Sequence, residues 1–330
     1  MHLIPNLEET EITMAGAVLI AAAFGDYLIG DPLFLVHPVQ IMGWLIEQYT
    51  NLSFRLWRQP WQQRLSGVIL GLSLIIGSGV GSCLLIELVY RVNFWCGLGL
   101  EVSLLASCFA AKSLRQAAEY VLAPLDREDL TTARSQLSMY VGRDTENLTK
   151  LEILRAVLET VGENAVDGIT APLFYAILGI FLGVGAVPLA LGYKAASTLD
   201  SMIGYLKEPY TYIGWFSAQL EDRLTWLPCR LTVFTLGIFS GRPLQVWEVC
   251  RRDAVLDPSP NSGWSECVYA AVLGVQLGGT NTYQGEIKVK PLLGNSDREI
   301  SPEIIYQALG LTRYCFLLWL FITLLILNYP

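Results

Sequence analysis

GRDTENLTKLEILRAVLETVGENAVDGITAPLFYAILG, residues 142–179, is followed at 192–205 by GYKAASTLDSMIGY. In the first stretch Ile153, Leu154, Val157, Leu158 and Val161 recur at helical spacing and form one apolar face. Glu152, Arg155, Glu159, Glu163 and Asp167 fall three or four residues apart and line another. The pattern predicts a helix with Thr145 or Asp144 as N-cap and Glu146 in its first turn, ended or bent at Gly168 before Pro172. A charged stripe alone equally suits a solvated helix laced with weak ion pairs. Three features shift the reading. Asn164 lies beside the stripe, an apolar run starts directly after it, and a second polar cluster follows at Lys194, Ser197, Thr198, Asp200 and Ser201. A lysine, hydroxyls and carboxylates gathered next to membrane-like sequence point to phosphate and Mg²⁺ chemistry.

Composition sets the class. Of 330 residues, 53% are hydrophobic and only 16% charged, where a soluble domain carries about 25% charge. The expected fold is all-α, a polytopic integral membrane protein with re-entrant or broken helices and cytoplasmic helical segments. No stretch stands apart in composition, so residues 1–330 are read as a single membrane-embedded domain. A net charge of −8 argues against a nucleic-acid partner. The seven cysteines are scattered without a C-x-x-C pair, and His2 and His37 are the only histidines, which excludes a multi-histidine metal site. Glu8, Glu9 and Glu11 stand where a secretory leader would be basic, so the first apolar run is expected to stay in the protein.

Taken in order, residues 12–30 read as a first span, with Gly30-Asp31-Pro32 just beyond it. Residues 36–49, opened by His37-Pro38, read as a short interfacial helix. Residues 51–65 read as an arginine- and tryptophan-bearing loop, and 66–90 and 94–111 as two further spans. A polar segment from Lys112 to about 168 carries seven Lys and Arg and is placed in the cytoplasm by the positive-inside rule. A simple span at 170–192 would then set Lys194 and Asp200 across the membrane from Arg143 and Glu163. Gly179, Gly183, Gly185 and Pro188 interrupt the run, so a re-entrant or broken hairpin is expected, and 226–240 is read the same way. Residues 241–310 suggest a helix, a loop at 258–263, a small-residue helix ending at Gly278-Gly279 and a short hairpin; 314–327 is a confident span.

The chain has no G-x-x-x-x-G-K-[ST], no G-x-S-x-G and no H-E-x-x-H, so any nucleotide chemistry uses another cradle. The phrases Gly30-Asp31-Pro32, His37-Pro38-Val39, VGRDT (141–145), ETVGENAVDGITAPLFYAILG (159–179), YKAASTLDSMIGY (193–205), SPNSGW (259–264) and GVQLGG (274–279) together resemble the cobinamide-phosphate synthase family of cobalamin biosynthesis, over about Gly25 to Gly285. The resemblance implies a multi-pass inner-membrane enzyme with its active site facing the cytoplasm, with other cobalamin-pathway enzymes as candidate partners. It implies an ATP-dependent ligase that joins adenosylcobyric acid to (R)-1-amino-2-propanol or its O-phosphate, giving adenosylcobinamide or its phosphate. The family pattern often has a histidine where Asp257 stands, so no histidine role is carried to that position.

That reaction assigns roles. An ionised carboxylate is a poor acyl acceptor, and phosphorylation by ATP supplies a leaving group. Mg²⁺, cations on the phosphate and a base for the ammonium are then required. Glu163, Asp167 and Asp200 are the Mg²⁺ ligand candidates, with Asn164 beside them. Arg143, Lys194 and Thr198 would hold ATP or aminopropanol phosphate. Asp144 or Glu159 would be the base, and Glu163 and Lys194 act at the reacting groups. His37 and Asp31 would complete the pocket or meet the corrinoid, and Ser259, Asn261 and Ser262 would cradle a phosphate. The alternatives are a membrane transporter, which buried charges and broken helices also suit, and a corrinoid-binding scaffold, which would not need the carboxylate stripe.

Overall fold

A computed structural model of the chain describes residues 7–30, 37–205 and 207–328. Its helices are α1 (Leu7–Leu28), α2 (Pro38–Leu56), α3 (Pro60–Val92), α4 (Phe94–Ala106), α5 (Ala111–Leu125), α6 (Leu130–Leu137), α7 (Lys150–Ala165), α8 (Ala171–Phe181), α9 (Ala186–Ile203), α10 (Trp215–Phe239), α11 (Pro243–Asp253), α12 (Ser262–Leu273) and α13 (Pro302–Asn328). A π-helical turn, Val166–Thr170, joins α7 to α8, and β1 (Leu277–Tyr283) pairs antiparallel with β2 (Glu286–Leu293). The fold is helical and of the membrane class. The stretches Pro60–Val92, Lys150–Phe181 and Pro302–Asn328 are long and apolar enough to cross a bilayer, and α4 with α5 makes a fourth if their 44° bend lies within one span. In Lys150–Phe181 the charges Lys150, Glu152, Arg155, Glu159 and Glu163 crowd the first half and Asp167 follows in the π-turn, so the apolar part is the second half.

The chain divides into two compact units. One comprises the chain up to Ala110, Ala171–Leu224 and the residues from Leu318 onward; the other comprises Ala111–Thr170 and Thr225–Leu317. In the first unit α9 is central and packs on α2, α3, α4 and α8. Its small residues Ala190, Ala195 and Ala196 are fully buried, which lets neighbouring backbones close in. Lys194, Ser197 and Asp200 recur on its one partly accessible face. The chain reverses between α8 and α9 at residues 182–185, where Gly183 and Gly185 take positive φ of 73° and 85°. Tyr175 of α8 stacks on Tyr193 of α9 at 4.9 Å, closing the hairpin that the glycines anticipate.

In the second unit the apolar face of α7 (Ile153, Leu154, Val157, Leu158, Val161) is fully buried and packs on α5, α6 and α12. The β-hairpin also lies against α7 and α12. Its turn is Gln284-Gly285, both at positive φ, the two-residue form whose twist matches paired strands.

Several expectations are corrected. Helix α7 starts later than expected: Thr149, not Thr145 or Asp144, is its N-cap, because Thr149 and Glu152 form a reciprocal capping box. The expected loop 51–65 is mostly helical. α2 runs to Leu56, and Pro60 at the first turn of α3 restarts the helix almost at once. The 226–240 run is not broken, since it lies inside the single helix α10 with Pro228 accommodated and the Thr232 hydroxyl donating to the Pro228 carbonyl at 2.9 Å. α12 stops at Gly274, which takes the left-handed conformation, rather than at Gly278-Gly279.

Candidate functional site

The charged stripe on α7 is a docking face for the β-hairpin. Arg155 donates through Nη1 to the Gly278 carbonyl at 2.6 Å and through Nη2 to the Thr280 carbonyl and Asn281 Oδ1, each at 3.1 Å. One turn on, buried Glu159 accepts the Gly278 N–H on Oε1 at 2.9 Å and the Arg143 guanidinium on Oε2. Arg143 is itself buried and reaches Asn281 Oδ1 at 2.9 Å. A buried ion pair survives desolvation only when its remaining lone pairs and protons are met, and the hairpin backbone meets them here. Asp144 completes the clamp from outside. Its oxygens accept the N–H groups of Gln284 and Gly285 at 2.9 and 2.8 Å, and its own N–H donates to the Thr282 carbonyl at 2.8 Å.

A turn further along, α7 crosses α12. The contact is close because Gly162 has no side chain: a Cβ there would lie 3.2 Å from the Glu266 Cα. The crossing brings Glu159 and Glu163 of α7 to Glu266 of α12. Glu163 is accessible at the surface yet densely surrounded by protein, and the charges of Lys290, Asp257, Glu159 and Arg143 act on it. Glu266 is buried; Lys290 Nζ, from β2, lies 3.4 Å from its Oε1, while its Oε2 has no hydrogen-bond partner among the described residues. Burial drives the Glu266 carboxyl up to about 8; Lys290 opposes the rise, and Glu159, Glu163 and Asp257 add to it. Burial works against the Lys290 ammonium, but the surrounding carboxylates outweigh it and hold its proton more tightly than usual. An accessible carboxylate, a buried one with a raised proton affinity and a lysine are thus gathered at one helix crossing.

The other sequence-named residues fall as follows. Asp167 is half-exposed in the π-helical turn, a distortion often found at functional sites. Asn164 is exposed and donates to the Thr160 carbonyl at 2.9 Å. In the loop before α12, Ser259 Oγ accepts the N–H groups of Asn261 and Ser262 at 3.2 and 3.1 Å, and Asp257 accepts that of Ser259 at 2.9 Å. These amides are therefore already engaged, and buried Asn261 takes Arg230 on its Oδ1 at 3.1 Å. Lys194, Thr198 and Asp200 lie on α9 in the other unit, where the Thr198 hydroxyl donates to the Lys194 carbonyl at 2.7 Å. His37 caps α2, its Nδ1 accepting the Val39 N–H at 3.2 Å. Asp31 lies outside the described residues. Among those residues, no group of three or more His, Cys, Asp or Glu side chains converges to hold a metal ion.

Sequence reasoning passed over Glu266, Lys290 and Asn281. Glu266 left a usable signal, as the only charge in the apolar helix Ser262–Leu273. A lone carboxylate in apolar sequence defaults to a functional candidate. Lys290 and Asn281 left none, since only the hairpin register brings them to α7 and α12.

Comparison with known proteins gives a concordant result. The family model described as CobD/Cbib protein matches residues 19–312. A "Cobalamin biosynthesis protein CobD" of Synechocystis sp. is 53% identical over 305 residues, covering 92% of this chain and 89% of the relative. A protein of the same name from Halalkalibacterium halodurans is 41% identical, covering 92% and 95%. A "Cobalamin biosynthesis protein CbiB" of Salmonella typhimurium is 41% identical, covering 87% and 89%. No solved structure matches the chain.

Proposed function

The chain belongs to the CobD/CbiB protein family of cobalamin biosynthesis, and from that premise we propose that it is an ATP-dependent ligase joining adenosylcobyric acid to (R)-1-amino-2-propanol or its O-phosphate. The product would be adenosylcobinamide or its phosphate. The observation that carries the reading is the α7–α12 crossing, which gathers accessible Glu163, buried Glu266 and half-buried Lys290.

Amide formation from a carboxylate needs an activated acyl group and a deprotonated amine. Transfer of the ATP γ-phosphoryl group to the corrinoid carboxylate supplies the leaving group. The amine then attacks, its nitrogen loses a proton, and phosphate departs with the C–O bonding pair. In this reading Glu163 receives the amine as its ammonium and takes the proton. Asp144 and Glu159, put forward from sequence as the base, have their oxygens engaged by hairpin amides and arginines. Their part is to hold the hairpin, and with it Lys290, against the site. Arg143 serves the same scaffold. Lys194 and Thr198 on α9 keep the phosphate-handling role assigned to them, Asp200 the Mg²⁺-ligand role, and His37 and Asp31 the corrinoid contact.

Mg²⁺ usually keeps several waters and is held by one or two carboxylates together with substrate phosphates. Among the carboxylates of the second unit, Asp167, half-exposed in the π-turn, would hold it, which leaves Glu163 free for the proton. The ion's chemistry is to neutralise phosphate charge. In this reading the enzyme sits in the inner membrane with the polar α5–α7 segment on the cytoplasmic side, where ATP is found; the Lys and Arg content of that segment supports this orientation.

The test is direct. Purified full-length protein in detergent, given ATP, Mg²⁺, adenosylcobyric acid and 1-amino-2-propanol or its phosphate, should form the corrinoid amide with stoichiometric ATP consumption, read by mass spectrometry. Corrinoid uptake into proteoliposomes with no covalent change would overturn the proposal in favour of transport.

A further inference from the structure

A polar cleft shares Arg155 with the hairpin dock, and neither Glu163 nor Glu266 lines it. It is a cleft of about 220 Å³ whose polar lining comes from Glu152 and Arg155 of α7, Gln276, and Ser296, Arg298 and Glu299 of the segment before α13. That volume is below the roughly 300–1,000 Å³ of pockets that enclose a drug-sized ligand. It therefore suits a small ion or one group of a larger molecule.

Its two guanidinium groups differ in state. Arg155 has spent both Nη groups on Gly278, Thr280 and Asn281, while its buried Nε makes no hydrogen bond. Arg298 is exposed, and among the described residues nothing pairs with its guanidinium; only its backbone N–H is used, donating to the Gly274 carbonyl at 2.8 Å. The two acids of the lining are not equivalent either. Glu152 Oε2 is bound by the Thr149 N–H at 2.7 Å and hydroxyl at 2.8 Å, which commits it to the helix cap. Glu299 is exposed, with no such commitment among the described residues.

We propose that this cleft is an oxyanion subsite that takes a phosphate group on Arg298, with the Ser296 hydroxyl and the Arg155 edge as its walls. The planar guanidinium fork suits two phosphate oxygens at once. The phosphate comes either as the free anion or as the phosphoryl group of a nucleotide.

Titration calorimetry of the full-length protein in detergent, with inorganic phosphate and with ATP as probes, tests this without recourse to turnover. Arg298→Ala should weaken binding at least tenfold, and Glu299→Gln should tighten it several-fold. Opposite signs from neighbouring residues are not what a folding defect produces. Arg251→Ala, the loss of another exposed arginine outside the cleft, should leave affinity unchanged. If ATP responds to Arg298→Ala, with or without inorganic phosphate, the cleft takes a nucleotide's phosphoryl group; if inorganic phosphate alone responds, it takes the free anion. The proposal is overturned if neither probe responds to Arg298→Ala, or if Arg251→Ala weakens binding equally.

Discussion

Glu159 and Gly278, 119 positions apart in the chain, are joined by a 2.9 Å bond from the Gly278 N–H to the Glu159 carboxylate inside the second unit. Because the other oxygen of Glu159 holds Arg143, the hairpin register and the buried ion pair depend on each other. Removing one partner of a buried pair leaves an uncompensated charge and costs about 3–5 kcal/mol. Glu159→Ala should therefore lower the thermal midpoint in detergent markedly, while the double change Glu159→Met with Arg143→Met recovers much of the loss. Equal loss in both would show that the pair is not the main element of this dock.

Asp144 holds the hairpin tip through two backbone N–H groups. Hydrogen bonds to a charged group are worth about 1.5–3 kcal/mol each, and Asp144 is only half-buried. Asp144→Ala should thus free the Gln284-Gly285 turn without unfolding α7. Limited proteolysis should show faster cleavage at the turn and unchanged cleavage elsewhere.

Glu266 makes stability depend on pH. Its folded value of about 8 lies above the ordinary 4.5 of a glutamate, so between those limits the folded state holds a proton that the unfolded state has released. Stability from this group is present at low pH and is lost as pH rises through that window. The thermal midpoint of Glu266→Gln, measured relative to the parent from pH 5 to 9, should rise with pH and level off above about 8. Parallel curves would show that Glu266 does not titrate there.

Lys194 and Asp200 share the accessible face of α9. Lys194→Ala and Asp200→Ala should each abolish ATP-dependent amide formation while membrane insertion is retained. Near-normal turnover in both would remove α9 from the chemistry.

Much of the architecture is written locally. The alternation of apolar and charged residues at helical spacing places α7, the long apolar runs give α3 and α13, and the glycines at 183 and 185 mark the α8–α9 reversal. What the sequence conceals is competition between equivalent local signals. Asp144, Thr145 and Thr149 are all good caps, and only the hairpin, far along the chain, claims Asp144 and leaves the cap to Thr149. The site divides in the same way. The carboxylate stripe is legible because it repeats, whereas Lys290 and Asn281 become neighbours of that stripe only through the β1–β2 register and the close approach at Gly162. Stripe and function are also not the same thing, since Arg155 and Glu159 hold the fold and leave Glu163 as the accessible carboxylate.

The initial rate of corrinoid amide formation by Glu163→Gln, measured on protein whose thermal midpoint matches that of the parent, tests the central claim most directly. A positioned acid–base group is worth about 10²–10⁴ in rate, so the account predicts a loss of at least about a hundredfold at saturating amine. A rate within threefold of the parent would contradict it.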